Sequence, residues 1–600
     1  MAGSKTGTVF IGDILVTFNA DLKKFPARID SSPWTLDRTL AGGELWRQPA
    51  QAGWHGFPFR QTALNEWNIW LIGELFPTQP LDIVDLVREV VTGKRSASEL
   101  NGHFLIIAWH GETRRWHIWT DRFGTLHAYY ATDGKRAALG TFHPAVTAAA
   151  SRRSLDWPGI AGFFACGFFP GDKTFFADVR ILRPACHYVF DEHGRLLTQD
   201  RYWHWRHEPE AKRSYDDTVA EFARIFHEVM RDHTGGGRVA LPISGGLDSR
   251  STVAAVAGPQ TGAPAGRGRL WSYSYGYSDD SVETGIARRV AGARGLPFSA
   301  ITIRPYLFDR LDLILASVEG FQDVTQCRQA AAMDEIARQA DYVLAAHWGD
   351  VWLADMGLAG KPAQAVADDL AGYALHKMEK GGRNWLLENL PRAVRIDDPE
   401  SLRLETVRQE MAPLSHIADP DFRIKAFKTD QWSFRWTTAS LRMFQAAAYP
   451  RLPFYDTRLA DFFGTVPSEF VSQRRLQIDY LKRYAPDLAR IKWQVYDTNL
   501  FRYPAFNTWL LPKRAVKKAW RLIRGKPVIE RNWEVQFLNP QGRRGLEHWL
   551  LRPGLRLHEF FPPAAVRELL RDFYQDPLAQ KRGYTVSMLL TFSVWLEHYG

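Results

Sequence analysis

The sequence predicts a two-domain protein that combines the α/β and α+β classes. Its 600 residues are too many for one hydrophobic core, so two or more domains are expected. Residues 1–205 are rich in short β-like runs, whereas strand and helix signals alternate beyond residue 213. We therefore predict an N-terminal domain at 1–205 and a C-terminal domain at 206–600, with the polar segment 201–213 as the linker.

The first domain is predicted to consist of short strands separated by turn residues. The clearest runs are "WNIWLIGELF", "HFLIIAWH", "WHIWTDRFG" and "HAYYATDG". After the linker, apolar residues at helical spacing predict a helix that Ser214 caps and that Gly235–Gly237 end.

Beyond that helix, strands and helices are predicted to alternate. The predicted strands are "RVALPIS", "LWSYSYG", "FSAITI" and "DYVLAAHW", and the predicted helices are "RSTVAAVAG", "SVETGIARRVAGARG" and "DEIARQA". Such alternation indicates a parallel sheet covered by helices. The remainder, from about residue 360, is predicted to be mostly helical.

Composition indicates a globular protein, with 45% hydrophobic and 24% charged residues. No apolar run is long enough to span a membrane, and the first residues lack the pattern of a secretory signal. The three cysteines form neither a disulfide framework nor a zinc cluster, so a reducing, cytoplasmic location is expected. The net charge is +10, but no zinc-finger spacing or RNA-binding signature occurs, so nucleic acid is not expected as a partner.

The turn "SGGLDS" at 244–249 joins the first strand of the predicted parallel sheet to its first helix. Ligands of such sheets bind beyond the carboxyl ends of the strands. The two glycines allow close approach to the backbone, whose amides form an anion site with the helix N-terminus, and Ser244 and Ser249 add hydroxyl donors. The lysine of a Walker loop is missing, and Asp248 is present instead, which is explained if Mg²⁺ lies between this acid and phosphates. A solvated strand–helix turn is the alternative.

This turn resembles the pyrophosphate loop of ATP-cleaving, amide-forming enzymes, and other segments narrow the resemblance to the asparagine synthetase family. "LNGHFLIIAWH…WTDRFGTLHAYY", "GFFACGFFPGDKTFFADVRILRPACHYVF" and "GEL" at 73–75 look like the glutaminase-type domain of that family. "SYSYGYSDDSVETGIARRVAGARGLPF" is similar to its second strand and helix, where Glu283 falls on a recurrent acidic position. "YPRLPFYD" at 449–456 looks like its R-x-P-F-x-D segment.

The resemblance implies a fold and a reaction. The fold is an N-terminal αββα sandwich of the Ntn-hydrolase type, followed by an α/β ATP-pyrophosphatase domain with a helical C-terminal part. In the reaction, a carboxylate attacks the α-phosphate of ATP, which gives an acyl-adenylate and pyrophosphate, and a nitrogen nucleophile then displaces AMP to form an amide. By resemblance, pyrophosphate would be held by Ser244, Gly245, Gly246 and Ser249, Mg²⁺ by Asp248 and Asp350, and the adenine side would be lined by Ile243 and Tyr275.

The sequence departs from the family at its glutaminase residues. The family nucleophile is an N-terminal cysteine, and an asparagine in an N-G-E segment supports the oxyanion; here these positions are Ala2 and Ile72. A wrongly chosen start codon would explain Ala2 but not Ile72. Because Glu74 and Asp121 remain, we expect an intact fold around an emptied pocket, no glutaminase activity, and an amine from solvent or from the second substrate.

The second pyrophosphate and metal motif, G-x-G-x-D-E in the family, is "AHWGDV" at 346–351. Asp350 remains as a metal ligand, but the next acid is Val351, and Ala346 and Trp348 replace two glycines. We expect a usable metal site with an altered pocket shape. Loss of ATP use is the alternative.

Two candidate catalytic residues follow from the resemblance. Tyr449 stands where the synthetases have a glutamate and where β-lactam synthetase-like relatives, which close a ring with the substrate's own amine, have a tyrosine. A packing role is the alternative. For the lysine that steadies adenylation in this family, Lys482 is the nearest candidate and Lys492 the next, although each could be a solvated cation on a helix.

The substrates stay open at this point. The alternatives are an asparagine synthetase-like enzyme that uses free ammonia or glutamine through another subunit, a lasso-peptide or β-lactam-type cyclase, an amidating enzyme of surface-polysaccharide assembly, and a catalytically inactive binding protein. Expected partners are small-molecule or peptide carboxylates and amines, with a precursor peptide or partner protein as a further option. The segment 507–527 carries seven Lys or Arg among apolar residues and could contact a membrane surface or an acidic peptide, or be a solvated helix.

Overall fold

The computed structural model describes residues 9–20, 25–28, 33–77, 82–257, 270–279, 281–361, 369–390, 398–505, 531–576 and 579–600. Its strands form two sheets, one of twelve antiparallel strands and one of five parallel strands. The predictions for Ala2 and for the basic segment 507–527 concern residues outside the described part of the chain.

The first sheet is formed by strands β1 Val9–Phe18, β2 Thr35–Leu40, β3 Gly43–Pro49, β4 Phe57–Leu64, β5 Trp67–Leu75, β6 Gly102–His110, β7 Arg115–Thr120, β8 Tyr129–Thr132, β9 Ala137–Gly140, β10 Val179–Ile181, β11 Cys186–Asp191 and β12 Leu196–Arg201. Its order is β10-β8-β9-β1-β4-β5-β6-β7-β11-β12, with β3 paired to β1 and β2 paired to β3. The four quoted runs are confirmed as β5 to β8. The strand β7 ends at Thr120 because the next residues turn around the carboxylate of Asp121, which accepts from the amides of Phe123 and Thr125 at 2.9 Å each.

Both faces of the central strands are covered. Along β5, Ile69 and Leu71 pack with helix α1 (Ile83–Val91) on one face, whereas Trp70 and Ile72 belong to the main core on the other. This alternation follows from the two-residue period of a strand. Helices α2 (His143–Ala150) and α3 (Trp157–Cys166) are buried in the main core.

The second sheet contains β13 Val239–Pro242, β14 Leu270–Gly276, β15 Phe298–Thr302, β16 Tyr342–Leu344 and β17 Tyr449–Arg451, in the order β15-β14-β13-β16-β17. All of its pairs are parallel, which confirms the prediction from alternating strands and helices. The helix before it is also confirmed, because α4 (Tyr215–His233) follows Ser214, whose Oγ accepts from the Asp217 amide at 3.1 Å. The strand β17 lies in the segment that was predicted to be mostly helical.

The remaining helices are α5 Asp248–Val256, α6 Val282–Gly292, α7 Leu311–Val318, α8 Met333–Gln339, α9 Gly349–Trp352, α10 Leu370–Met378, α11 Arg383–Glu388, α12 Pro399–Met411, α13 Pro420–Lys428, α14 Thr438–Leu441, α15 Thr457–Gly464, α16 Ser468–Val471, α17 Arg475–Tyr484, α18 Pro486–Arg490, α19 Asn532–Phe537, α20 Pro540–Leu551, α21 Pro563–Gln575 and α22 Gly583–Tyr599. A π-helix at Thr429–Thr437 joins α13 to α14 without a break. No described helix is long and apolar enough to cross a lipid bilayer.

Charged side chains connect the two sheets. Arg451 of β17 donates to both carboxylate oxygens of Glu74 on β5, at 2.8 and 2.7 Å. Arg183 makes a similar two-bond pair with Glu410 of α12, at 2.9 Å for each bond. These pairs fix the antiparallel sheet against the elements that surround the parallel one.

Candidate active site

The glycine turn lies between β13 and α5, at the carboxyl end of the central parallel strand. Its two serines hold it closed, because the Ser244 amide donates to Ser249 Oγ at 3.0 Å and the Gly246 amide donates to Ser244 Oγ at 3.2 Å. The first amides of α5 have no carbonyl partner within the helix. The turn therefore has the backbone geometry of an anion site at a helix N-terminus.

The two glycines of the turn have different surroundings. A Cβ on Gly245 would stand 2.3 Å from Oε1 of Gln494, so a side chain at this position would require Gln494 to move. A Cβ on Gly246 would meet only Ser244 Oγ, at 3.2 Å. The segment that carries Gln494 thus closes over one side of the turn, and the other side is left open to a ligand.

A cavity of about 550 Å³ opens in front of the turn, within the size range of small-molecule sites. It brings together ten residues singled out in the sequence: Ile243, Ser244, Asp248, Ser249, Tyr275, Glu283, Ala346, Trp348, Asp350 and Val351. Since these residues come from the turns after β13 and β16 and from β14, α5, α6 and α9, the fold gathers most of the predicted nucleotide site around one space.

Asp248 is the central acid of this cavity. Its Oδ1 accepts from Nη1 of Arg474 at 2.8 Å and from Nε2 of Gln477 at 3.0 Å. Burial raises the pKa of Asp248, and the charge of Asp350 raises it further, while Arg474 opposes the shift. Arg474 adopts a left-handed backbone, with φ of 63°, to reach the acid.

The residues present fit a metal ion bound jointly with phosphates. Asp248 and Asp350 both line the cavity, and two carboxylates are a usual protein contribution to a Mg²⁺ site that is completed by phosphate oxygens. Val351, at the position of the family's second acid, is buried with 2% exposure. Within the part of the chain that the structure describes, no group of three or more His, Cys, Asp or Glu could hold a metal ion by itself.

Two predicted catalytic residues do not line this cavity. Tyr449 lies in β17, opposite Tyr342, and faces a small cavity between the two sheets together with His103 and Arg442. Burial raises its pKa well above the ordinary value. Lys482 donates to Asp479 at 3.2 Å on α17.

Lys492 is closer to the turn than its sequence context indicated. Arg250 of α5 donates to the carbonyl oxygens of Ile491 and Lys492, at 2.8 and 3.0 Å. Gln494, two residues on, packs against Gly245. The Lys492 ammonium pairs with Asp497. The helix that begins with Asp248 thus fixes the backbone of this lysine beside the glycine turn.

Sequence reasoning missed the wall of the cavity that faces the turn. This wall includes Arg328, Lys428, Trp432 and Trp436, and Trp348 adjoins them. Burial lowers the pKa of Lys428, although Asp350 opposes the shift. The signal was present in the sequence, because Lys428, Trp432 and Trp436 are spaced by four residues, as on one side of a helix.

The residues retained from a glutaminase pocket have structural partners here. Ile72 is fully buried in the main core, and Glu74 is paired with Arg451. Asp121 accepts four hydrogen bonds from its own turn, from the amides of Phe123, Thr125 and Leu126 and from the Thr125 hydroxyl. Burial raises the pKa of Asp121 to about 6.

An antiparallel sheet buried on both faces, joined to a parallel sheet with an SGGLDS turn, defines a two-domain protein of the amidotransferase and ATP-pyrophosphatase type. Residues 222–597 match the family model for asparagine synthase, and residues 83–203 match that for a glutamine amidotransferase domain. The chain therefore belongs to the asparagine synthase family. The predicted fold class, an Ntn-like domain followed by a synthetase domain, is confirmed.

No curated protein matches the chain. Among solved structures, it is similar to a glutamine phosphoribosylpyrophosphate amidotransferase from B. subtilis complexed with ADP and GMP, with 10% identity, 50% of this chain and 62% of that chain covered, and a TM-score of 0.19. It is also similar to a glutamine-dependent NAD⁺ synthetase from Acinetobacter baumannii in complex with ADP, with 11% identity, 45% and 51% of the two chains covered, and a TM-score of 0.16. The chain thus spans less than two thirds of the length of either protein.

Proposed function

We propose that this protein is an ATP-dependent carbon–nitrogen ligase that activates a carboxylate as an acyl-adenylate, releases pyrophosphate, and has no glutaminase activity of its own. The observation that carries the proposal is the single cavity in which the closed glycine turn, Asp248 and Asp350 face a cationic and aromatic wall. Phosphates and a carboxylate can therefore be held side by side within one cavity. We place the division between the two domains near residue 205.

The reaction is assigned to the residues of the cavity as follows. Amides of the turn and of the α5 N-terminus hold the phosphates, with Ser244 and Ser249 as hydroxyl donors. The carboxylate oxygen bonds to the α-phosphorus as the bond to pyrophosphate breaks, and an amine then bonds to the acyl carbon as AMP leaves and the amine gives up a proton. Mg²⁺, held by Asp248 and Asp350, would neutralise charge on the departing pyrophosphate.

Lys492 is the stronger candidate for the lysine that steadies adenylation. Arg250 fixes its backbone beside the turn, and rotation away from Asp497 would free its ammonium for the phosphates. Lys482 lies on the face of α17 that carries Asp479. Lys492→Met should therefore reduce adenylate formation strongly, and Lys482→Met should leave it nearly unchanged.

The amidotransferase domain is proposed to act as a scaffold. Its oxyanion position is the buried Ile72, which has no side-chain donor, and its retained acids are engaged in the interdomain pair and in a turn. Since neither Glu74 nor Asp121 is free to bind glutamine, the nitrogen of the new amide is expected to come from solvent or from the second substrate.

The test uses Asp248→Ala, with Asp216→Ala as a matched control on the exposed first turn of α4. ATP binding in the presence of Mg²⁺ is measured by calorimetry, and pyrophosphate release by a coupled assay with pooled acids and amines. Asp248→Ala should lose both, whereas the control should behave as wild type. Wild-type levels of both in Asp248→Ala would sink the site assignment.

A further inference from the structure

The wall opposite the glycine turn belongs to one continuous helix, Pro420 to Leu441, whose middle is a π-helix. The Thr438 amide donates to the carbonyl of Ser433, five residues earlier, which is the hydrogen bond of a π turn. Short π segments in proteins are frequently found at functional sites because they redirect side chains at a cost to the helix. Three residues of this segment, Trp432, Trp436 and Thr437, line the cavity.

Three side chains spaced by four residues form this wall: Lys428, Trp432 and Trp436. The two indoles pack edge to face, with ring centroids 5.9 Å apart. The Lys428 ammonium lies 5.3 Å from the Trp432 ring and 5.8 Å from the ring of Trp348, which also faces the cavity. A second ammonium, that of Lys380, lies 4.1 Å from the Trp432 ring and 5.7 Å from the Trp436 ring, so three indoles and two cations meet at this wall.

Among the described residues, no carboxylate forms a salt bridge with the Lys428 ammonium, although the charge of Asp350 acts on it across the cavity and opposes the lowering of its pKa. Lys428 Nζ has Met356 Sδ as its hydrogen-bonding neighbour, at 3.9 Å. The adjacent Lys425, by contrast, is paired with Asp421 at 3.4 Å. A partly buried ammonium beside a cavity, with no carboxylate bonded to it among the described residues, is expected to receive an anionic ligand, since burying a charge without a close partner is costly.

The opposite side of the π-helix is fixed to the amidotransferase domain. Arg435 donates to the carbonyls of Gly171 and Lys173, at 2.9 and 2.7 Å, and Gln431 Oε1 accepts from the Gly171 amide at 2.8 Å. The Phe434 carbonyl is 2.6 Å from Nε2 of His127. The first domain therefore holds the indoles in place, which supports a preformed binding wall instead of loose core packing.

We propose that the acid activated by this protein carries, next to its carboxyl group, a ring with a flat face that stacks on Trp432 and meets Trp436 edge to face, with the carboxylate directed to Lys428. Aromatic rings and the apolar face of a pyranose share this chemistry, because both offer a flat surface to an indole. This inference rests on the proposed function and specifies its substrate class. It separates this site from one that takes a small aliphatic amino acid, for which an aromatic wall offers no complementary surface.

Binding of four probe acids to the full-length protein tests the inference without any turnover. Benzoate is compared with heptanoate, an open-chain acid with the same number of carbon atoms and no ring, and glucuronate is compared with open-chain gluconate. Saturation-transfer NMR and calorimetry report dissociation constants without nucleotide. We expect benzoate or glucuronate to bind about tenfold more tightly than its counterpart, since a stacked ring adds roughly 1–3 kcal/mol.

Variants then locate the binding. Trp432→Leu and Lys428→Met should each weaken the preferred acid about tenfold, whereas Trp432→Phe, which keeps a flat ring, should retain most of the affinity. Trp549→Leu, a tryptophan outside the cavity, is the control. Equal binding within each pair, no binding of any of the four acids, or an unchanged affinity in Trp432→Leu would each overturn the inference.

ATP binding to the same proteins distinguishes failure of the proposed substrate class from failure of the proposed function. If wild type binds ATP but none of the acids, the substrate class is wrong and the proposed function stands. If a flat acid binds as expected but ATP does not, the proposed function fails, while the wall remains a carboxylate site.

Discussion

Glu74→Gln tests whether the amidotransferase domain now serves as a scaffold. The Arg451 guanidinium donates to Glu74 twice, to the carbonyls of His233 and Gly235 at 3.1 and 2.6 Å, and lies 3.5 Å from the ring centroid of Tyr342. Arg451 is 5% exposed. The substitution removes the only carboxylate on this cation among the described residues and keeps the rest of its surroundings.

The expected cost follows from that geometry. Removing one partner of a buried ion pair typically lowers the stability of a protein by about 3–5 kcal/mol, because the remaining charge is left unpaired. Arg451 keeps two carbonyl acceptors and a ring, so the lower end, about 3 kcal/mol, is expected here. The double variant Glu74→Gln/Arg451→Met has no unpaired charge. Its loss of stability should therefore be about 2 kcal/mol smaller than the sum of the losses in the two single variants.

Hydrogen exchange of the β17 amides is the suitable assay, because global unfolding of a two-domain protein is not a two-state transition. About 3 kcal/mol corresponds to exchange roughly a hundredfold faster in a peptide that spans Tyr449 to Arg451. The control is Glu89→Gln, which removes a half-exposed partner of Arg95 and should change exchange little. Less than threefold acceleration in Glu74→Gln would refute the reasoning.

Three further outcomes are expected. Gly245→Ala should weaken ATP binding about tenfold because its Cβ would stand 2.3 Å from Gln494 Oε1, and Gly246→Ala should have a smaller effect. The double variant Gly245→Ala/Gln494→Ala should regain ATP affinity, and calorimetry measures all three variants. Glutamine incubated with the protein, ATP and Mg²⁺ should yield no glutamate above a no-enzyme control; ATP-stimulated glutamate that persists after further purification would contradict this. Burial raises the pKa of Asp121 from 3.8 to about 6, so the folded state binds the carboxyl proton more tightly than the unfolded state does. The protonated Asp121 therefore stabilises the folded protein at low pH, and this stabilisation is lost as the pH rises from about 4 to about 6. Between pH 4 and pH 6.5, the midpoint of thermal unfolding of Asp121→Asn should therefore rise relative to that of wild type. A constant difference between the two midpoints would show that Asp121 does not titrate in this range.

Local patterns predicted much of the fold. Alternating apolar residues, turn residues and caps are short-range signals, and they located β5 to β8, the helix after Ser214 and the parallel sheet around the glycine turn. The turn itself was recognisable because its chemistry is contained in six consecutive residues. Ile243, Tyr275 and Asp350 were expected beside Asp248 through the resemblance to the asparagine synthetase family, and all four residues line one cavity.

Long-range pairing accounts for what the sequence did not predict. Tyr449 to Arg451 form a strand of three residues that pairs with β16, and so short a strand has too few residues to show a period of two. The partner of Glu74 is 377 residues away, and that of Asp248, Arg474, is 226 residues away. No local spacing indicates such contacts.

The central claim is that one cavity activates a carboxylate with ATP, and exchange of labelled pyrophosphate into ATP measures this step directly. Wild type should show exchange that requires both Mg²⁺ and an acid, highest for acids with a flat ring, and Asp248→Ala should show none. Absence of exchange with aromatic, uronic, amino-acid and peptide acids alike, together with absence of ATP binding, would contradict the account and favour a catalytically inactive binding protein.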